Sequence, residues 1–278
     1  MLGMTPGVAP VLGPLSLRVV DKGRMLAFWQ GMLGLDAVVR PDGLVALTPA
    51  GSDRPLLLLE VDPRATDPGP AASGLFHVAL LLPDRPSLGR AYLALDAAGA
   101  RPSFVGAADH AVSEAIYYTD PEGNGLELYR DRPRDEWRRV RRAGGGEEVR
   151  MGTDPLDLAG MLRESGEPEP GAPAVAPGTV LGHVHLQVAD LAPTADFYRD
   201  RLGMDVTVSS YPGARFLSWA GYHHHLGLNV WGPRPRTRPP AGARGLIGWA
   251  LCVPGSSGEE ERTLEDPDGV TIQILGGG

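Results

Sequence analysis

One decapeptide of this chain occurs twice. Leu12–Asp21 reads LGPLSLRVVD and Leu181–Asp190 reads LGHVHLQVAD, with Leu, Gly, Leu, Val and Asp in register. The offset, 183 − 14 = 169, also pairs Phe28 with Phe197, Trp29 with Tyr198, Leu33 with Leu202, Gly34 with Gly203 and Glu60 with Asn229. A second pair runs beside it. Gly74–Pro83 (GLFHVALLLP) matches Gly245–Pro254 (GLIGWALCVP), and Asp120–Tyr129 (DPEGNGLELY) matches Asp266–Leu275 (DPDGVTIQIL). Repeats of this kind confine the fold to copies of one supersecondary unit, here four copies, two in each half.

Each copy has the same coarse order. It opens on an apolar or alternating strand: Leu15–Val20, Phe76–Leu82, Val184–Val188 and Gly248–Val253. A helical stretch follows in three copies, in MLAFWQGMLG, SLGRAYLALDAAGA and PTADFYRDRLG, with apolar residues three or four apart and a glycine near the end. The fourth copy has only GSSGEEERT there, too little for a long helix. Strands such as LLLLEV, AIYYT, GLELY, LGLNVW and TIQIL close the copies. The unit is therefore βαβββ and the expected class is α+β.

The middle differs. Arg130–Arg142 is strongly charged and reads as a solvated face. MGTDPLDLAGMLRES reads as one helix capped by Thr153 or Asp154, with Pro155 in its first turn. GEPEPGAPAVAPG is a semi-rigid proline-rich linker. The expected division is an N-terminal domain of two modules at 1–130, a connecting segment at 131–178 and a C-terminal domain of two modules at 179–278.

A net charge of −8 gives no footprint for nucleic acid or an anionic membrane surface. No apolar run approaches the roughly 20 residues of a membrane helix. The start, MLGMTPGVAPVLGPL, lacks the basic region of a secretion signal. A single cysteine, Cys252, excludes an internal disulfide framework and fits a reducing cytoplasm, the expected location.

All seven histidines fall in or beside predicted strands. Neutral imidazole is the commonest ligand for transition metals. His77 opens one first strand, and Glu127 lies in the last strand of the same module. Glu60 occupies the corresponding last-strand place in the preceding module. One nitrogen and two carboxylates suit iron(II), manganese(II) or a similar divalent ion. His183 and His185 share a strand face because side chains alternate. By the same alternation His223 and His225 share the face of Asn229, while His224 points away. His183 with His225 thus offers a second two-nitrogen site. His110, just before a strand, suits a proton shuttle if it faces the same site. Each of these residues also has a plain alternative as a hydrogen-bonded core or surface group.

The βαβββ repeat, HVHLQVADL leading into FYRDRLGM, and DPEGNGLELY resemble the vicinal oxygen chelate superfamily, which includes glyoxalases, bleomycin resistance proteins and extradiol dioxygenases. The module order resembles its two-domain catechol 2,3-dioxygenase-like members. The resemblance implies modules paired into two cup-shaped mixed β-sheet domains, with ligands from first and last strands converging inside a cup. It implies a divalent metal, iron(II) in the dioxygenases, held by two histidines and a glutamate. It also implies a small aromatic diol and O₂ as the reacting partners.

The sequence departs from that pattern. Pro14, Gly248 and Gln273 stand where ligands are expected, so neither half carries a complete set. Either Glu60 completes an N-terminal site, or the His183 and His225 cluster recruits something unusual, or no metal binds. Three functions follow: a ring-cleaving dioxygenase for a small catechol-like diol; a glyoxalase-like metal-dependent isomerase or lyase needing no O₂; and a non-catalytic binding protein with cups lined by Trp219, Tyr222, Trp231 and Trp249. Self-association into a homo-oligomer is left open.

Overall fold

The structure is a computed structural model and describes residues 9–142, 145–169, 171–254 and 262–277. The sequence readings of the extreme N-terminus (1–8) and of most of GSSGEEERT (255–261) lie outside the described residues.

Three of the four units form as the repeats predict, and among the described residues the fourth holds three strands. The first comprises β1 (Val11–Val19), β2 (Asp36–Val39), β3 (Val45–Thr48) and β4 (Leu57–Val61). The second comprises β5 (Gly74–Leu81), β6 (Phe104–Asp109), β7 (Ser113–Thr119) and β8 (Gly125–Asp131). A short hairpin, β9 (Arg139–Arg141) and β10 (Glu147–Val149), lies in the connecting segment. The third unit holds β11 (Val180–Gln187), β12 (Asp205–Val208), β13 (Ala214–Ser218) and β14 (Leu226–Asn229). The fourth holds β15 (Gly245–Pro254), β16 (Arg262–Glu265) and β17 (Thr271–Gly277).

The helices are α1 (Lys22–Leu26), α2 (Arg85–Ala97), α3 (Leu158–Ser165) and α4 (Leu191–Leu202). α1 runs on into a wider π-helical stretch at Ala27–Met32. The Asp21, Asp84 and Asp190 side chains accept backbone N–H groups at the starts of α1, α2 and α4, satisfying donors that have no partner within the helix. Gly203 ends α4 at a φ of 67°, where a residue with a Cβ is disfavoured. α3 starts later than Thr153 or Asp154, with Asp157 as its cap. The cause is a β-bridge: the Asp154 and Asp109 backbones exchange hydrogen bonds at 2.9 Å, which holds that stretch extended. No helix among the described residues is long and apolar enough to cross a membrane.

Sheet membership does not follow the halves of the chain. One sheet has the strand order β16-β17-β15-β1-β4-β3-β2 and joins the first unit to the fourth. The other runs β12-β13-β14-β11-β5-β8-β7-β6 and joins the second to the third. In each, two first strands meet antiparallel (β1 with β15, β5 with β11), and each has its own last strand parallel on its other side. The expected 1–130 and 179–278 pairing of neighbouring units is corrected accordingly. The connecting segment at 131–178 brings β11 back alongside β5, and β1 then takes β15 as its partner. α3 of that segment packs on α2 at Gly89, where a Cβ would stand 2.6 Å from the Ser165 Cβ.

Along β11, Val184 and Leu186 enter the main apolar core with Tyr198 and Leu202 of α4. Alternation sends His183 and His185 to the opposite, inner face. Burying both faces of a strand in this way requires polar inner residues to find partners inside the protein.

Candidate functional site

The seam between β5 and β11 brings together residues more than a hundred positions apart. His77 pairs with His185 and Ala79 with His183 across the antiparallel ladder, and Glu127 of β8 stands beside Ala79 on the parallel side. The result is a triangle of donor atoms. His77 Nε2 lies 2.9 Å from Glu127 Oε2, His183 Nε2 lies 3.0 Å from the same oxygen, and the two nitrogens are 3.3 Å apart. All three side chains are buried. Burial alone would raise the Glu127 carboxyl, but the two imidazoles outweigh it and hold the group well below the usual carboxylate range. Burial lowers the His183 imidazole to about 4 even against the pull of Glu127, so the ring is neutral at neutral pH, the form that can ligate a metal.

This set fits a divalent metal ion. Metal–ligand bonds of about 2.1 Å at right angles place neighbouring donor atoms about 3 Å apart, the spacing of this triangle. Two histidines and one carboxylate on one side of an ion leave its other positions open. Among the described residues these three form the group of histidine, cysteine and acidic side chains close enough to hold such an ion. The His183 ring is held by packing rather than by a second hydrogen bond: its Nδ1 has no partner, and the ring lies 4.1 Å from His224 and 4.8 Å from Tyr129 between centroids.

The triangle opens on a cavity of about 430 Å³. Phe76, Val105, Met151, Tyr211, Phe216 and Trp231 give it apolar walls. His110 also lines it. Its Nδ1 donates to the Gly152 carbonyl at 2.6 Å, and its Nε2 lies 2.6 Å from the Tyr117 hydroxyl. Tyr117 is paired with Glu127 across β7 and β8. Burial and the Glu127 carboxylate push its phenol well above its ordinary value. His110, Tyr117 and Glu127 thus form one continuous polar line into the site.

Two sequence-expected ligands lie elsewhere. Glu60 belongs to the other sheet and forms an ion pair with Arg18 at 2.7 Å. Register explains the difference. Glu127 stands opposite the residue two beyond His77, whereas Glu60 stands opposite Arg18, four beyond Pro14; Leu58, opposite Ser16, holds the equivalent seat. His225 turns away from the cavity. Its Nδ1 accepts from the Trp219 backbone N–H at 3.3 Å, and its ring packs on Tyr222. β14 begins only at Leu226, so strand alternation does not govern the three histidines before it.

It is His224 that lines the cavity, while His223 bonds outward to Asp131 at 2.8 Å. The two rings share a 2.7 Å contact between their Nδ1 atoms. Sequence reasoning missed His224 and Tyr117. The signal for Tyr117 was available in the hairpin register that faces it to Glu127. His224 carried none, because its orientation is set outside any regular strand.

Comparison with known proteins agrees with this architecture. The sequence pattern of the Glyoxalase/Bleomycin resistance protein/Dioxygenase superfamily matches residues 11–128 and 180–253. The chain belongs to that superfamily. It is 40% identical over 246 residues to a catechol-2,3-dioxygenase of Bacillus subtilis (strain 168), covering 87% of this chain and 82% of that protein. Two solved structures share the fold. A putative dioxygenase from Bacillus subtilis subsp. subtilis str. 168 has a TM-score of 0.58 at 13% identity, over 96% of this chain and 86% of that one. The cppA protein of Streptococcus pneumoniae TIGR4 has a TM-score of 0.55 at 10% identity, over 97% and 98%. In one sheet His77, His183 and Glu127 come together as a group that could hold a metal ion. Pro14, Leu58, Gly248 and Gln273 take the corresponding places in the other.

Proposed function

We propose that this chain is a metal-dependent, ring-cleaving extradiol dioxygenase acting on a small catechol-like diol with O₂. The observation that carries the reading is the convergence of His77 Nε2, His183 Nε2 and Glu127 Oε2 at the mouth of an apolar cavity. The similarity to a catechol-2,3-dioxygenase supports it. Iron(II) held there would act as Lewis acid and template for the two diol oxygens and O₂.

The rest is the work of the chain. His77, His183 and Glu127 supply two neutral donors and one negative charge. Phe76, Phe216 and Trp231 enclose an aromatic ring and exclude water. His110, held by the Gly152 carbonyl at Nδ1, takes the proton that a diol loses on binding through the Tyr117 hydroxyl at its Nε2 and returns it later by the same route.

The test is direct. Protein purified without added metal is analysed for metals, then assayed with catechols in air and under nitrogen. Bound iron and O₂-dependent ring cleavage are expected. Turnover that persists without O₂ makes the protein an isomerase or lyase. Diol binding with no turnover in either atmosphere makes it a binding protein.

A further inference from the structure

The metal set uses only one of the two inner-face histidines of β11. His185 remains. It is 3% exposed, yet its ring forms part of the cavity wall. Phe76, Phe216 and Trp231 surround it at centroid distances of 5.1, 5.7 and 5.5 Å, and the His77 ring is 4.8 Å away. Its Nε2 is buried without a hydrogen-bond partner. Among three aromatic rings an apolar side chain would pack without leaving a polar atom unsatisfied.

The backbone is shaped to admit this ring. β14 places Gly227 opposite His185, the seat that corresponds to Glu127 opposite Ala79. A Cβ on Gly227 would come within 2.8 Å of the His185 Cγ and 2.9 Å of its Nδ1. The fourth seat of the cup is thus cleared of its own side chain, and an imidazole lies across it.

We propose that His185 is a positioning and specificity-determining residue that hydrogen-bonds a third oxygen on the substrate ring, next to the metal-bound pair. The favoured substrate class is then a catechol with an added hydroxyl or comparable hydrogen-bonding oxygen beside the diol. The His185 and His77 rings lie 4.8 Å apart between centroids, which sets an oxygen held by His185 beside the pair held at the His77 end of the cavity. The inference rests on the dioxygenase reading above.

The test uses the iron-loaded full-length protein under nitrogen, so that binding is measured without turnover. Calorimetry compares pyrogallol with 3-methylcatechol, which set a hydroxyl or a methyl of similar size at the same ring position. The wild type is expected to prefer pyrogallol by about 5- to 10-fold, the value of one hydrogen bond. In His185→Leu the ratio of dissociation constants falls to about one. In Gly227→Ala, whose added methyl displaces the imidazole, it falls likewise, which gives a second reading if the first variant folds poorly. A loss of packing alone would weaken both ligands together and leave their ratio unchanged. A wild type that does not distinguish the ligands, or a ratio kept within about twofold in either folded variant, overturns the role of His185. A wild type that binds neither diol overturns the dioxygenase reading itself.

Discussion

At the scale of single residues, the site depends on one carboxylate shared by two imidazoles. Replacing Glu127 with glutamine removes the negative charge and keeps the shape. Metal affinity is expected to fall by more than about 100-fold, since even groups behind the ligands are worth 10- to 100-fold. Thermal unfolding should show the fold retained; full metal content in that variant would refute the assignment. Glu60→Ala, by contrast, should leave metal content unchanged, because its partner is Arg18 in the other sheet. His110→Ala should lower kcat about 100-fold with metal content intact, the usual worth of a positioned acid–base group. Equal loss of metal in that variant would show a structural role instead.

At the scale of elements, the connecting segment is tied to the cavity sheet by charge. Arg132 binds Asp109 at 2.6 Å, and the Asp109 backbone pairs with Asp154, next to the cavity-lining Gly152 and Thr153. Burial would raise the Asp109 carboxyl, but Arg132 and the Ala111 N–H outweigh it and lower the group. A depressed folded value means that its stabilisation is present above the unfolded value near 4 and is lost as pH falls through the lower folded value. Asp109→Asn should therefore melt a few degrees below the wild type at pH 7, and the gap should close toward pH 3. A gap independent of pH would show that charge is not its source. The β5–β8 contact has its own requirement. Gly125 faces the Phe76 carbonyl and the His77 Cα and Cβ so closely that a Cβ would force the strands apart. That glycine fixes how near Glu127 comes to His77.

At the scale of the whole molecule, the two halves of the chain are interlocked. The first supplies His77 and Glu127, and the second supplies His183 to the same triangle. The other sheet likewise takes β1 from one end of the chain and β15 from the other. Residues 1–178 and 179–278, expressed separately, should each fail to bind metal, and mixing or co-expression should restore it. Metal binding by either piece alone would contradict the shared site. The cost of such an arrangement is that β1 must wait for a partner strand more than two hundred residues away, a separation that slows folding.

The sequence by itself determined the unit and its number. The two decapeptides, the DPEGN and DPDGV turns and the helix-ending glycines each act over a few residues, so short-range patterning was enough to read them. It also singled out His77, Glu127 and His183, because an inward position on a first or last strand is a local property. Only the tertiary structure decided which units share a sheet, since a repeat is equally compatible with either partner. That choice turned three separate candidates into one site, where the sequence read in halves had found two incomplete ones. It likewise removed Glu60 and His225 and brought in His224, because strand register and the start of β14 depend on pairing with a neighbour and not on the residues themselves.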